Sequence, residues 1–376
     1  AFGNMVGVSL DGPFAREDLF APAYGSIVLE VAKNLDLRVF LSGITHRVLG
    51  ETVSKPDLIV DGSAIRLQEL ADAWLSPLEG VFPTKPPKPE ASPKTFACGK
   101  RGVSKPKVGA ARPRVFIPVF PGTNCEYDSA RAFRLAGAEP DVLVVRNLTA
   151  RGIEETIAEM SKRIAQSQIL MIPGGFSGGD EPDGSGKFIA TAFRNPVLRD
   201  AVMDLLGRRD GLVLGICNGF QALVKLGLVP YGEIRDLSAD SPTLTFNTIG
   251  RHVSQMVRTR VSSVMSPWLS RRKVGDIHTI AVSHGEGRFI ADEAHLAEME
   301  KNGQIATQYV DLAGTPSGEA PWNPNGSIQA IEGITSPDGR VFGKMGHSER
   351  IGENVLKNVP GEKDQEIFRA GVEYFR

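Results

Sequence analysis

Cysteine is scarce in this 376-residue chain, which has only Cys98, Cys125 and Cys217. Three thiols at uneven spacing form neither a paired disulfide framework nor a metal-ligand pattern, so any cysteine chemistry must come from single thiols. An excess of charge of one sign is also missing. With 43 Lys and Arg against 44 Asp and Glu, the formal net charge is -1, which offers no general attraction to nucleic acid or to an anionic membrane. No run of about eighteen apolar residues occurs, and the opening AFGNMVGVSLDG lacks the charged and apolar regions of a signal peptide. The expected setting is the cytoplasm. A start without Met, directly in strand-like alternation, reads as a piece of a longer polypeptide.

The length suggests about two or three domains. Between residues 83 and 114 periodic apolar positions give way to proline, glycine and basic residues, and acids almost vanish. This composition predicts a solvated, extended linker, in which Cys98 has no scaffold. Upstream, GSIVLEVAK and DLIVDG read as strands and LQELADAWLSPLEGVF as an amphipathic helix. Downstream, the strand-like runs RVFIPVF, DVLVV, QILMI and GLVLGI alternate with helical patterns near 125–135, 153–164 and 188–206. Such alternation predicts an α/β fold with a doubly wound, mostly parallel sheet. Ligands in that architecture meet the carboxyl ends of the strands.

Cys217 lies at such an end. In GLVLGICNGFQALVKLG a short buried strand runs into a helix, and Gly215-x-Cys217-x-Gly219 is the thiol counterpart of a nucleophile elbow. The flanking glycines permit a tight turn, and the N–H groups of the following helix favour a thiolate. Cys125 is also at a strand–turn–helix junction, but Glu126 follows it at once and opposes an anion. Its expected role is structural or site-lining. A cysteine nucleophile needs a base with an orienting group. Two H-x-E frames could supply them, His284 with Glu286 and His347 with Glu349, because residues two apart on an extended chain share a face. Spacing does not choose between them. The loop PGGFSGGDEPDGSGKF, following QILMI, could bring backbone N–H groups to a ligand. Gly175 and Asn218 are the candidate donors to an oxyanion. A phosphate loop is disfavoured because Phe188 follows Lys187 and because Asp180, Glu181 and Asp183 would repel phosphate.

The segments FPGTNCE, PGGFSGGD, GICNGFQ, SHGEGRF and NPNGS…IEGITSPDGRVFGKMGHSER resemble the glutaminase domain of the phosphoribosylformylglycinamidine synthase family. The resemblance covers about residue 114 to the end. It implies a class I glutamine amidotransferase-like fold over 114–376, a basic linker over 91–113, and a site with Cys217, His347 and Glu349 as catalytic triad. Gly174, Gly175, Asn218, Gln221 and His284 would line the glutamine site, and Asn247 and Arg251 fall where the family places loop residues near the pocket. Two departures stand out. The family commonly has an aromatic residue at the position of Gly178, and prolines at those of Gly346 and Ser348. More weakly, residues 1–90 resemble the end of an aminoimidazole-ribonucleotide-synthetase-like domain. The implied activity is release of ammonia from L-glutamine through a glutamyl thioester, for a synthetase portion that uses ATP, Mg²⁺ and formylglycinamide ribonucleotide. No cofactor or metal is expected in this chain itself, nor nucleic acid or a membrane as partner. Two other readings fit the elbow: a noncatalytic or redox-responsive cysteine-elbow protein, and a glutaminase serving another synthetase.

Overall fold

The computed structural model describes residues 3–10, 20–83, 86–87, 89, 91–102, 105–179 and 186–376. The acids expected to repel phosphate, Asp180, Glu181 and Asp183, lie outside the described residues. The chain divides into two compact units, Ala1–Thr84 and Lys85–Arg376.

The first unit carries a sheet of β1 (Gly7–Leu10), β2 (Gly50–Val53), β3 (Asp57–Val60) and β4 (Ser63–Arg66), in the order β2-β1-β3-β4, and a helix α1 (Leu67–Leu75). The expected strand DLIV is β3 and the expected helix is α1. The strand expected in GSIVLEVAK is not formed: residues 25–33 have no ladder partner among the described residues, and Ile27 and Val28 are 81% and 79% exposed. Alternation marks a chain able to pair, but an edge must be present to pair with. Of the described apolar side chains in this unit only Leu67 and Ala71 are buried.

The second unit is built on β5 (Arg114–Val119), β6 (Glu139–Val144), β7 (Ile169–Ile172), β8 (Leu212–Ile216), β9 (Thr243–Thr245), β10 (Val253–Val261), β11 (Ile277–His284), β12 (Arg288–Ile290), β13 (Ile305–Tyr309), β14 (Ile331–Thr335) and β15 (Val341–Lys344). Nine of these form one sheet in the order β11-β10-β13-β14-β15-β8-β7-β5-β6. From β6 to β15 every pairing is parallel. The strands β7 and β8 are buried at every residue, which is why they read as unbroken apolar runs instead of alternating ones. Beyond β15 the sheet continues antiparallel through β14, β13, β10 and β11.

Helices supply the crossovers: α2 (Glu126–Leu135), α3 (Ala150–Gln166), α4 (Lys187–Phe193), α5 (Pro196–Gly207) and α6 (Asn218–Leu226), with α7 (Glu293–Lys301) and α8 (Ile367–Glu373) later. The single helical pattern expected over 188–206 is two helices, because Asn195 caps Val197 N–H and Pro196 opens α5. The expected linker of residues 91–113 is in part a packed strap on this unit. Phe96 is 7% exposed, its N–H donates to Gln308 Oε1 at 3.0 Å, and Cys98 N–H donates to Ser262 O at 2.8 Å. Basic composition reports solvation of side chains, whereas these attachments use the backbone and one buried ring.

Candidate active site

The junction of β8 and α6 is the single residue Cys217, at φ 52° and ψ -106°. A residue with a side chain pays for positive φ, and here the surroundings hold it: Cys217 N–H donates to Lys344 O at 2.8 Å, and its carbonyl accepts Gln221 N–H at 3.0 Å. The flanking glycines are required by close approach. A Cβ on Gly215 would lie 2.6 Å from Leu223 Cδ1, and one on Gly219 would lie 2.0 Å from Ile172 O. The helix therefore seats directly on the strands, with the thiol at their carboxyl edge.

The register of the parallel pair β8 and β15 places Lys344 beside Ile216. Three residues after Lys344 the chain reaches His347, whose N–H donates to Ala281 O on β11 at 2.9 Å. His347 and Glu349 are 2% and 0% exposed, and His347 Nδ1 meets Glu349 Oε1 at 2.6 Å. This bond occupies Nδ1, so proton transfer falls to Nε2, which has no hydrogen bond of ordinary geometry among the described residues. Burial by itself would lower the His347 pKa. The Glu349 charge, then the charge of Cys217 and hydrogen bonding with Cys125 and Cys217, outweigh it and hold the imidazole well above its usual 6.5. Burial likewise pushes Glu349 up, but the His347 charge and hydrogen bond keep it below 4.5. The environment thus favours an imidazolium–carboxylate pair beside the thiol.

Gly174 shows how tightly these groups converge. A Cβ there would lie 2.7 Å from His347 Cε1, 3.2 Å from Cys125 Sγ and 3.4 Å from Cys217 Cβ. Its carbonyl accepts the N–H groups of Asn124 and Cys125 at 3.2 and 3.3 Å. Gly175, at φ 148°, packs so closely that a Cβ would meet Gly122 O at 2.6 Å. Ser177 N–H donates to Asn218 Oδ1 at 3.2 Å. The glycine loop is therefore fastened to the start of α6.

His284 is placed differently. It ends β11, and its Nδ1 meets Asn247 Oδ1 at 3.2 Å, while its Nε2 has no hydrogen bond among the described residues. Burial, then the charges of His252 and His347, lower its pKa to about 3, so the ring is neutral. It lies close to the site, since Cys217 Sγ is 3.7 Å from the carbonyl of Ser283. Asn247 also receives the Gly287 N–H at 3.2 Å and donates to the carbonyls of Arg251 and His284 at 3.1 and 2.8 Å, which shapes this wall. Gln221, expected to face glutamine, has both ends of its amide bonded within the protein: Asn218 Nδ2 donates to its Oε1 at 2.9 Å, and its Nε2 donates to Glu286 O at 2.5 Å.

Cys125 lines the same site. It is fully buried, 3.8 Å from His347 Nδ1, and receives a hydrogen bond from Arg350 Nη2 at 3.0 Å. Ligand-type atoms of Cys125, His347 and Glu349 lie within 4.8 Å of one another. A guanidinium on the sulfur opposes a cation there, and the short bond to Glu349 already uses Nδ1. The sequence reading missed Arg350, Lys344 and Glu332. Arg350 follows Glu349 directly in GHSER, which was its one available signal. Gly346 and Ser348, the two departures from proline, use groups that proline lacks. Gly346 N–H donates to Glu332 Oε1 at 2.6 Å and Ser348 Oγ accepts from Lys344 Nζ at 2.9 Å.

Known proteins resemble the second unit. Residues 112–375 match the family described as CobB/CobQ-like glutamine amidotransferase domain. The phosphoribosylformylglycinamidine synthase subunit PurQ of Methanococcus maripaludis is 35% identical over 286 residues, covering 70% of this chain and 97% of the relative. PurQ of Aquifex aeolicus is 34% identical, covering 65% of this chain and 94% of the relative. Among solved structures, PurLQS from Thermotoga maritima contains a chain that is covered completely by 70% of this one, at 25% identity and a TM-score of 0.50. The chain belongs to the glutamine amidotransferase family that includes the PurQ subunits of phosphoribosylformylglycinamidine synthase.

Proposed function

We propose that the second unit hydrolyses the side-chain amide of L-glutamine with Cys217 as nucleophile, His347 as general acid and base, and Glu349 as its orienting partner. With the proton already on His347, the Cys217 thiolate attacks the amide carbon. The N–H groups of Gly175 and Asn218 hold the oxyanion. His347 Nε2 then gives its proton to the departing nitrogen, which leaves as ammonia, and a glutamyl thioester remains with the imidazole neutral. Water, deprotonated by the same imidazole, cleaves the thioester and releases glutamate. Gly174, Gln221 and His284 shape the pocket. The observation that carries this reading is the buried 2.6 Å bond between His347 Nδ1 and Glu349 Oε1 beside the elbow cysteine.

The ammonia would pass to the synthetase portion of phosphoribosylformylglycinamidine synthase, in the cytoplasm, where ATP and Mg²⁺ activate formylglycinamide ribonucleotide. The relatives named PurQ support this assignment. The first unit would be the end of an aminoimidazole-ribonucleotide-synthetase-like domain. Its scant buried core and the exposure of Ile27, Val28, Val39 and Ile44, each above 60%, fit a segment completed by further protein.

A glutamine-mimicking electrophile tests the site. It is expected to label Cys217, with glutamine blocking the reaction. Labelling at Cys125, or labelling that glutamine does not slow, refutes the proposal. Glutamine turnover by this chain alone is expected to be weak, because a site coupled to a synthetase would otherwise waste glutamine. Turnover equal to that of the assembled enzyme contradicts that coupling.

A further inference from the structure

Two buried ions that the reaction itself does not use bracket His347. Lys344, the last residue of β15, and Glu332, on β14, have side chains 0% exposed and form an ion pair at 3.2 Å. Such a pair is a poor source of stability, since the cost of taking two charges out of water often exceeds their attraction. Its hydrogen bonds show what else it does. Lys344 Nζ donates to Gly346 O at 2.8 Å and to Ser348 Oγ at 2.9 Å, so with Glu332 all three ammonium protons have acceptors. Glu332 Oε1 accepts the Gly346 N–H at 2.6 Å, and Oε2 accepts the Thr307 hydroxyl at 2.5 Å. Ser348 Oγ donates its own hydrogen bond to Gln365 Oε1 at 2.5 Å. The residues immediately before and after His347 are therefore both gripped.

The fit leaves no slack. A Cβ on Gly346 would lie 2.1 Å from Ile280 Cδ1 and 2.8 Å from Glu332 Oε1, so the backbone before His347 rests directly against the carboxylate. The Lys344 carbonyl accepts the N–H of Cys217 at 2.8 Å. One residue thus touches the elbow through its backbone and the His347 turn through its side chain.

We infer that the buried Lys344–Glu332 pair is a positioning device that sets the His347 imidazole against Cys217 and Glu349. This rests on the reading of His347 as the acid–base group. Removing the pair lets the turn shift while its hydrophobic surroundings persist. A displacement of about 1 Å in an acid–base group costs on the order of 10²-fold in rate.

The test uses the full chain and the double variant Lys344→Met with Glu332→Gln, which removes both charges yet keeps an acceptor for Gly346 N–H. Three quantities are read: thermal unfolding, the rate at which iodoacetamide alkylates Cys217, and kcat and KM for glutamine hydrolysis. The double variant should unfold near the wild type, since neutralising both members leaves no orphaned charge. Its Cys217 alkylation should slow toward that of His347→Ala, and kcat should fall about 10²-fold with little change in KM. A folded double variant with wild-type alkylation and kcat overturns the inference. If His347→Ala itself alkylates at the wild-type rate, the Cys217–His347 reading fails, and the inference falls with it. Ser348→Ala, which removes one grip and no charge, covers the case of a double variant that does not fold. It should alkylate at an intermediate rate, and a wild-type rate again overturns the inference.

Discussion

A single methyl group at Gly174 should separate the nucleophile from its base. The glycine is not in a left-handed conformation, so Gly174→Ala introduces no backbone strain and acts through its Cβ alone. That atom would lie 2.7 Å from His347 Cε1, 3.2 Å from Cys125 Sγ and 3.4 Å from Cys217 Cβ. Carbon atoms pack favourably at about 3.5 to 4.0 Å, so the imidazole must retreat by roughly 1 Å. The move disturbs the Nδ1–Glu349 bond and the placing of Nε2. Overpacking of this kind costs about 1–3 kcal/mol of stability. The loss of alignment should cost about 10²-fold in kcat. The assay pairs chemical unfolding with labelling of Cys217 by the glutamine-mimicking electrophile and with ammonia release. A Gly174→Ala protein that folds, labels and releases ammonia at wild-type rates would refute the proposed convergence of these three side chains.

Glu349→Gln should leave His347 without its charge partner and lower glutamine hydrolysis by about 10² to 10⁴-fold. The same variant should flatten the dependence of stability on pH at both ends. His347 titrates above 6.5, so its contribution is complete below 6.5 and is lost as pH rises through the raised value. Glu349 titrates below 4.5, so its contribution is present above 4.5 and is lost on acidification through the lowered value. Denaturant unfolding across pH, wild type against variant, reads both limbs, and parallel curves would contradict the pairing. His278 and His284 act in the opposite sense. Burial, the leading cause in each, lowers them to about 4 and about 3. Below pH 6.5 the unfolded chain binds protons that these folded rings refuse, so each should remove about 1.4 kcal/mol per pH unit down to its folded value. His284→Gln should reduce that acid slope between pH 6 and pH 4, and an unchanged slope would show that the ring is not buried neutral.

Much of the parallel half of the fold was legible because its signals are local. ILMI and LVLGI are unbroken apolar runs since both faces of β7 and β8 are covered. Gly215 and Gly219 mark the elbow because each makes a contact within one strand–turn–helix unit or with the adjoining strand. The strap carrying Phe96 and Cys98 was not legible, because hydrogen bonds from its backbone to residues more than 150 positions away leave no periodic trace. Nor was the exposed state of residues 25–33, whose alternation records a capacity for pairing and says nothing about whether an edge is at hand.

The two H-x-E frames show the same limit at the site. Spacing made His284 and His347 equal candidates, and only the family resemblance ranked them. Three-dimensional placement separates them physically, with His347 on Glu349 and His284 on Asn247. By itself the sequence marked the parallel strands, their helices and the elbow, since these follow from short-range sterics and from the repeat of helix and strand. Only the tertiary structure decided which imidazole takes a carboxylate partner, that Cys125 and Arg350 lie beside it, and that a buried Lys344–Glu332 pair grips the turn. Those choices depend on β15 lying against β8 in one register, a long-range pairing that no one-dimensional period encodes.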